Sequence, residues 1–236
     1  ACAWTAAGHD TDMKIAVLTG AGVSAESGLG TFRDEDGLWA RYDLREVATP
    51  EGFARDPALV LDFYNARRRN TAEAEVNAAH LALAELGRSP DHDLTLITQN
   101  IDDLHERAGS TGVIHMHGQI TRALCAACGH RWDAPMVMQA ADPCPACAAP
   151  ATRPDVVWFG EIPYHMDALS LAVTEADLFV AIGTSAEVYP AAGLVELARG
   201  ATLEINLAPS VRANAFDAHL HGPATAAVPD WVASLI

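Results

Sequence analysis

Short apolar runs, separated by more polar stretches, set the pattern of this chain. Several runs are almost continuous in valine, isoleucine and leucine, which is typical of strands buried on both faces of a sheet. Turn-forming residues bound each run. The predicted strands are 14–20, 93–100, 112–118, 155–161, 176–185 and 201–209.

Helical stretches lie between these strands. They are predicted at 50–66, 72–87, 165–175, 190–199 and 210–220. Because strand and helix alternate at both ends of the chain, we expect an α/β fold with a doubly wound, Rossmann-like parallel sheet. A ligand cleft is then expected at the carboxyl ends of the parallel strands.

The alternation is interrupted twice. Residues 31–90 contain helices and loops without a convincing strand, and residues 120–154 contain four cysteines. We therefore expect a small lobe built from these two insertions. The large Rossmann-like domain would comprise 13–30, 91–119 and 155–236, and residues 1–12 would be a flexible N-terminal extension.

Composition narrows the classes of partner. The 236 residues are 50% hydrophobic and carry a formal net charge of −16. A nucleic-acid partner needs clustered lysine and arginine, so none is expected. A basic peptide would be attracted, although an acidic surface that serves solubility explains the same charge.

The chain lacks a membrane-length apolar run and a signal peptide, so we expect a cytoplasmic monomer without membrane association.

Four of the five cysteines form one pattern. Two residues separate Cys125 from Cys128, fifteen residues follow, and Cys144 and Cys147 repeat the pair. This spacing predicts a tetrahedral structural zinc site, closed to water by four thiolates. Two disulfides or redox-active pairs are the alternatives, and a chain without a secretion signal disfavours disulfides. The remaining cysteine, Cys2, has no partner in the pattern.

A glycine-rich turn follows the first predicted strand. Gly20, Gly22 and Ala25 fit the G-x-G-x-x-G/A pattern of dinucleotide-binding loops. The glycines permit a tight turn and a close approach to a pyrophosphate, and the next helix supplies N–H donors. The usual ribose-binding acid is missing, because no strand precedes Asp43 or Glu46. We therefore expect a dinucleotide bound differently than in dehydrogenases.

Polar residues follow the next two strands. Asn100, Asp102 and Asp103 come after strand 93–100, where sites form, although Asn100 or Asp102 could simply cap a helix. His115 and His117 end strand 112–118 and point to one side under its alternation. A lone histidine is more often structural, but His117, at the end of the strand before Gly118, is a candidate general base, with zinc ligation as the rival role.

Two further segments offer binding groups. Another glycine-containing turn, with the sequence Gly-Thr-Ser, begins at Gly183. Asn206 occupies the matching edge position on the last predicted strand. In 63–69, Tyr64 and Arg67 are three residues apart and share a helix face, which offers a phenol and a guanidinium to one carboxylate. A solvated basic surface is the alternative and fits the neighbouring arginines, Arg68 and Arg69, at least as well.

Taken in order, these motifs resemble the sirtuin family of NAD-dependent protein lysine deacylases, its bacterial members in particular. The resemblance extends from Met13 to the C-terminus. The motifs that carry it are GAGVSAESGLGTFRDEDGLW, TQNIDDLHERAG, HMHG, the paired CxxC motifs, VVWFGE, GTSAEVYPAA and INLAPS.

The resemblance implies an NAD site. Phe32 would shield the nicotinamide ribose, Arg33 would lie near the phosphates, and Ala224 near the adenine. A cover formed by 28–39 would order when NAD and substrate bind. The implied NAD-binding residues are Gly20, Ala21, Gly22, Ser24, Ala25, Glu26, Thr31, Phe32, Arg33, Trp39, Gln99, Asn100, Ile101, Asp102, Gly183, Thr184, Ser185, Asn206, Leu207, Ala208 and Ala224.

The resemblance also implies the chemistry. The acyl-lysine carbonyl would attack C1′ of the nicotinamide ribose and release nicotinamide. His117 would be the general base that activates a ribose hydroxyl, with Asn100 and Asp102 stabilising positive charge during nicotinamide release. The products would be free lysine and O-acyl-ADP-ribose, and zinc would have only a structural role.

The implied substrate is an extended acyl-lysine peptide. Main-chain hydrogen bonds would add it as a strand between two segments of the chain, with His117 also in contact. Tyr64 and Arg67, with the small Ala48, match members that accept succinyl or malonyl groups, so we expect those activities beside deacetylation. The implied peptide-binding residues are Val157, Phe159, Gly160, Glu161, Val188 and Tyr189.

Two other functions remain open at this point. The same NAD site would serve mono-ADP-ribosyl transfer to a protein. A non-catalytic module that binds NAD and zinc is the third possibility, although such a module would not need the general base His117.

Overall fold

A computed structural model describes residues 12–30 and 42–236. A parallel sheet forms its centre, as the apolar runs predicted. Its strands are β1 (Met13–Thr19), β2 (His92–Thr98), β3 (Ile114–His115), β7 (Leu178–Ile182), β8 (Ala201–Asn206) and β9 (Ala218–His221), in the order β3-β2-β1-β7-β8-β9.

A smaller antiparallel sheet accompanies it. Its strands are β4 (Gly118–Cys125), β5 (Arg131–Asp133) and β6 (Thr152–Val156), in the order β5-β4-β6. The prediction of a strand at 155–161 was therefore wrong in two respects. That strand ends at Val156, and it belongs to the small sheet, because it pairs antiparallel with β4.

Most helices follow the predicted pattern, and their starts have local causes. Pro57 stands at the first turn of α3 and the Asp56 side chain caps it. Asn77 caps α4 in a reciprocal arrangement with His80. The helices are α1 (Leu44–Val47), α2 (Pro50–Arg55), α3 (Pro57–Glu73), α4 (Ala78–Leu86), α5 (Leu104–Arg107), α6 (Met166–Glu175) and α7 (Ala224–Ala233).

One helix prediction was wrong near the C-terminus. Segment 190–199 is helical as predicted, although its helix, Ala191–Leu197, is of the 3₁₀ type, whereas segment 210–220 contains a short 3₁₀ turn and most of β9. In β9, Ala218 and Leu220 face the core while the alternating histidines face outward. This period-2 pattern is too short to outweigh the helix-like composition around it.

The large sheet is covered on both faces. One face packs against α4 and α7 through residues such as Leu83, Leu86 and Trp231, and the other packs against α6 and the 3₁₀ helix through Phe179 and Leu194. Since α4 joins the core of the large domain, we propose that the helical insertion ends before Ala78 rather than at residue 90.

The topology predicts where ligands bind. From β1 the chain moves outward to β2 and β3, then returns to β7 on the other side of β1. This reversal opens a crevice at the carboxyl ends of β1 and β7. Over the described ranges, no helix combines the length and apolarity that crossing a membrane requires.

Candidate active site

Two glycine loops meet at this crevice. The N–H of Gly20 donates to the carbonyl of Ile182 at 2.9 Å, and that of Gly22 to Gly183 at 2.8 Å. A Cβ atom on Gly22 would lie 2.7 Å from the Cα of Gly183, whose own φ is +62°. The glycines therefore let the β1 and β7 loops touch. The side-chain amide of Asn100 donates to the carbonyl of Gly20 at 3.2 Å and holds the β2 loop against them.

A directional chain of hydrogen bonds lies behind these loops. The backbone N–H of Asn77 donates to Nδ1 of His80 (3.3 Å), so the proton of this ring is on Nε2, 3.3 Å from Oγ of Ser24. The Ser24 hydroxyl donates to Asp102 at 3.2 Å and accepts from the Asn100 amide at 3.2 Å. Two predicted site residues are thus fixed by a buried serine.

His80 was not predicted as a site residue. It is fully buried, and burial, with a smaller effect of nearby Arg107, lowers its pKa to about 4. The ring is therefore neutral at pH 7 and keeps the tautomer that orients Ser24. We interpret His80 as a positioning residue. The signal in the sequence was a histidine three residues after Asn77 at the start of an apolar helix.

Asp102 has two roles that the sequence left as alternatives. Its Oδ1 accepts the N–H of Leu104 at 3.2 Å, which caps α5, and its Oδ2 accepts from Ser24. Burial raises the pKa of this carboxyl, and the hydrogen bonds from Leu104 and Ser24 oppose that effect. Helix capping and a place in the crevice are therefore compatible.

A second set of contacts closes the crevice on the β8 side. Gln99 donates its side-chain amide to the Thr184 hydroxyl (3.0 Å), and Asn206 donates to the Thr184 carbonyl (2.7 Å). Glu26 accepts both the N–H and the hydroxyl of Thr225 at the start of α7. These bonds place the start of α7 beside the β1 loop.

His117 stands at the front of the crevice. Its Nδ1 lies 3.0 Å from the carbonyl of Gln99, and because a carbonyl only accepts, Nδ1 carries the proton. Nε2 then holds the basic lone pair. Burial lowers the pKa of His117, and the hydrogen bond to Gln99 partly opposes this, so the ring is neutral at pH 7.

Both ring nitrogens of His115 have a hydrogen-bond partner, so this ring differs from that of His117. Its Nε2 lies 2.7 Å from Oε1 of Glu106, and its Nδ1 lies 3.2 Å from the carbonyl of Asn100. The ring is 7% exposed. We interpret His115 as a structural residue, which leaves His117 as the candidate base.

An apolar compartment adjoins His117. Ala48, Tyr64 and Trp158 belong to one buried cluster, and Trp158 Nε1 donates to the hydroxyl of Tyr64 at 2.9 Å. The guanidinium of Arg67 lies 5.8 Å from the centre of the Phe63 ring. It interacts electrostatically with Tyr64 and with Asp102, so the three predicted acyl-pocket residues share this compartment.

The cysteines form a compact cluster at the far end of the small sheet. Sγ of Cys125 lies 3.7 Å from that of Cys147, and Sγ of Cys128 lies 3.8 Å from that of Cys144. Four sulfurs at 2.3 Å from a tetrahedral zinc ion would be about 3.8 Å apart. The geometry suits structural zinc, as predicted, and none of the four is in a disulfide.

Arg68 connects this lobe to α3. It is 4% exposed, and it donates from Nε to the carbonyl of Ile120 (2.9 Å) and from Nη1 to that of Met136 (3.2 Å). The expectation of a solvated basic surface was therefore wrong for Arg68. It holds for Arg69, which is exposed.

Comparison with known proteins settles the family. A protein-family model described as "Sir2 family" matches residues 20–190. The chain belongs to the Sir2 family. It is similar to an NAD-dependent protein deacylase of Caulobacter vibrioides, with 58% identity over 95% of this chain and 97% of the relative. This result confirms the predicted resemblance.

Solved Sir2 structures confirm the fold. A Sir2 homolog–NAD complex superimposes with a TM-score of 0.86 and 41% identity, over 94% of this chain and 90% of that one. The structure of a Sir2 protein bound to a myristoylated histone peptide gives a TM-score of 0.72 and 30% identity, over 94% and 90%. The confirmed class is a Rossmann-like domain with a smaller zinc-binding sheet.

The peptide-binding residues predicted from the Sir2 resemblance lie in the segments that follow β6 and β7. Val157 donates its N–H to the carbonyl of His117 (2.9 Å), and Phe159 donates to that of Ala48 (2.9 Å). The Glu161 carboxylate is already bound by Arg153 and the Trp158 N–H, and the Glu161 backbone N–H donates to the Trp158 carbonyl at 3.0 Å. The members of this set that are exposed are Phe159, Gly160, Val188 and Tyr189.

Some predicted NAD residues of this Sir2 chain lie outside the described residues, and others lie in the loops and turns after the strands or at the start of α7. Thr31, Phe32, Arg33 and Trp39 belong to the first group, and so does most of the proposed cover 28–39. In the second group, Ala21 and Ala25 lie in the 3₁₀ turns after β1, Ile101 follows β2, Ser185 follows β7, Leu207 and Ala208 follow β8, and Ala224 begins α7.

Proposed function

We propose that this Sir2-family chain is an NAD-dependent protein lysine deacylase that removes acidic acyl groups as well as acetyl. The observation that carries the proposal is the neutral His117, whose Nδ1–H is fixed on the carbonyl of Gln99 so that Nε2 keeps the basic lone pair. NAD-dependent deacylation is also the function of the Caulobacter relative.

Features of this chain itself make the crevice suitable for NAD. The glycine loops leave no side chain between β1 and β7, and the loops after β1, β2, β7 and β8 are tied together by amide side chains. NAD supplies an electrophilic ribose carbon with nicotinamide as the leaving group. Gln99, Asn100 and Thr184 offer amides and a hydroxyl that orient a ribose and its phosphates.

In this proposal His117 moves the proton that the transfer requires. Its Nδ1–H is fixed on the Gln99 carbonyl, which aims Nε2 at a hydroxyl of the bound ribose. Asn100 and Asp102, held by Ser24, offer negative and polar atoms beside the carbon that becomes positive when nicotinamide leaves. The apolar compartment keeps water from the acyl group.

The proposed partners are acyl-lysine proteins. We propose that the substrate backbone adds as a strand beside the exposed segments that contain Phe159 and Val188. The formal charge of −16 favours peptides with basic flanks. We further propose that the protein is a cytoplasmic monomer.

An activity assay distinguishes this function from its alternatives. Zinc-loaded protein is incubated with adenine-labelled NAD and an acetyl-lysine or succinyl-lysine peptide. We expect nicotinamide release only when the acylated peptide is present, together with free lysine. Label retained covalently on protein would instead indicate ADP-ribosyl transfer. NAD binding without either reaction would indicate a non-catalytic module.

The acyl preference rests on a cation beside a phenol. Arg67 is partly buried, and burial lowers its pKa, with Tyr64 and Asp102 opposing that effect. Arginine remains protonated in proteins, so a positive charge is held in the compartment. A succinyl or malonyl carboxylate would pair with this charge, and an acetyl group would not.

Replacement of Arg67 by methionine tests this preference. We expect kcat/KM for desuccinylation to fall by about 10- to 100-fold, because a charged hydrogen bond contributes roughly 1.5–3 kcal/mol. Deacetylation should change by less than about threefold. Steady-state rates on peptides that differ only in the acyl group provide the measurement.

Arg69→Met is the matched control, since Arg69 is exposed on the same helix. Both activities should be unchanged in that variant. An equal loss of deacetylation and desuccinylation in Arg67→Met would show that Arg67 is structural and would remove the acidic-acyl part of the proposal.

A further inference from the structure

A cluster of metal-ligating side chains lies on the edge of the large sheet, away from the cysteines. Glu204 is on β8, and His219 and His221 are on the edge strand β9. Glu204 is directly opposite His219 in the register of the sheet, and His221 is two residues further along. The three side chains therefore share one face.

Their ligand atoms all lie within 4.8 Å of one another. Nδ1 of His219 lies 3.4 Å from Oε2 of Glu204, and Nε2 of His221 lies 4.0 Å from the same oxygen. These distances exceed a good hydrogen bond of about 2.7–3.2 Å. Ligands at about 2.0–2.1 Å from a tetrahedral zinc ion lie about 3.3 Å apart. A small rotation of His221 would complete the geometry.

The cluster combines a buried anion with two accessible rings. Glu204 is 1% exposed, whereas the side chains of His219 and His221 are 32% and 43% exposed. The N–H of Ser210 donates to Oε1 of Glu204 at 3.2 Å, which orients the carboxylate and leaves Oε2 toward the histidines. A buried carboxylate needs a positive partner, and the exposed rings give an ion access from solvent.

We propose that Glu204, His219 and His221 form a second metal site, for a divalent transition ion such as Zn²⁺. Two imidazoles and one carboxylate are a ligand set that suits zinc, nickel or copper(II). Calcium and magnesium are disfavoured because they require six or more oxygen ligands. Unlike the cysteine site, this one has three protein ligands, so a water molecule would take the fourth position.

A metal ion in this site would stabilise the edge of the large sheet, beside the segment after β8 that is predicted to bind the adenosine half of NAD. Within the described residues, β9 pairs only with β8. The residue after His221, Gly222, donates its N–H to the carbonyl of Asn206 at 3.1 Å. A bound ion would therefore tie the edge strand to β8. The inference does not depend on the deacylase proposal, because it concerns metal stoichiometry alone.

A cobalt titration tests the proposal. Protein with zinc in the cysteine site is treated with a weak chelator and then titrated with Co²⁺. We expect one further equivalent to bind, with weak d–d absorption and without the intense thiolate-to-cobalt bands that would mark the cysteines. Isothermal titration with Zn²⁺ should give the same stoichiometry.

Variants show which residues bind this additional equivalent of Co²⁺. In the double variant His219→Gln/His221→Gln it should be lost, while the cysteine-bound zinc is retained. The control, His165→Asn, replaces an exposed histidine elsewhere, at a left-handed position that asparagine tolerates, and should bind as wild type does. Since both ligand histidines are exposed, the double variant should fold normally, as circular dichroism would verify.

Two results would contradict the proposal of a second metal site. One is a wild-type protein that binds no ion beyond the cysteine site, in which case the three residues form only an ion-pair cluster. The other is a further equivalent that the double variant still binds with unchanged affinity, which would place the ion elsewhere.

Discussion

Replacement of His117 by alanine is expected to lower the rate of deacylation by about 10²- to 10⁴-fold, the usual contribution of a general base. The fold should remain intact, because within the described residues the side chain makes its hydrogen bond to the Gln99 carbonyl. Free lysine peptide, measured under saturating NAD, is the readout. NAD binding should persist, since the nucleotide loops do not depend on this ring.

The pH profile should change with the same substitution. Burial lowers the pKa of His117 below its ordinary 6.5. A base acts only when deprotonated, so the activity of the wild-type protein should be constant near pH 7 and fall only as the pH drops through that lowered value. The residual activity of His117→Ala should lack this acid limb.

His92→Gln is the matched control. His92 is also partly buried, but it lies at the amino end of β2, whereas the crevice is at the carboxyl ends of the strands. Its Nε2 lies 3.2 Å from the Leu235 carbonyl. This variant should keep the wild-type rate. Unchanged deacylation in a folded His117→Ala protein would remove His117 from the proposed role.

Loss of the zinc ion is the second change with a large expected effect. Cys144→Ser should remove the ion and lower the free energy of unfolding of the small lobe by at least about 3 kcal/mol, a modest part of the ~10–16 kcal/mol that zinc supplies in zinc-finger peptides. The lobe has few apolar side chains of its own. Its described buried cluster combines Leu61 of α3 with Ala123 and Met138.

The effect should reach the acyl compartment through α3. Arg68 and Asn65 of this helix donate to carbonyls of the lobe, and Asn65 also accepts the N–H of Met138 at 2.9 Å. Deacylation should therefore be lost together with zinc. Metal analysis and amide hydrogen exchange over 118–156 provide the measurements.

Cys2→Ser is the control for this prediction, since Cys2 stands outside the paired motif. It should retain the cysteine-bound zinc ion and full activity. A folded, active Cys144→Ser protein without zinc at the cysteines would show that the lobe does not need its ion.

Local signals explain why so much of the fold was predictable. The apolar runs in β1, β2, β7 and β8 are buried on both faces, so their composition alone identified a parallel sheet. The cysteine spacing identified zinc because each CxxC turn already places two thiolates together. These signals are contained in a few consecutive residues.

Where the predictions were wrong, distant contacts decided the structure. The β6 strand joined the small sheet because its partners on β4 lie thirty residues earlier in the chain. Segment 210–220 became β9 because its alternate residues pack on the large core. Arg68 is buried because carbonyls of residues 120 and 136 surround it. None of these partners is visible in a local pattern.

The sequence by itself therefore determined the α/β class, the zinc ligands and the membership of the crevice, because adjacent residues encode strands, turns and metal knuckles. The resemblance already pointed to His117 as the proposed base, and only the tertiary structure showed the burial and the hydrogen-bond partners that distinguish the histidines. His80, His115, His117 and the β9 pair differ in burial and in partners, not in chemistry. Protonation and tautomer depend on those partners, and folding brings them together from distant positions.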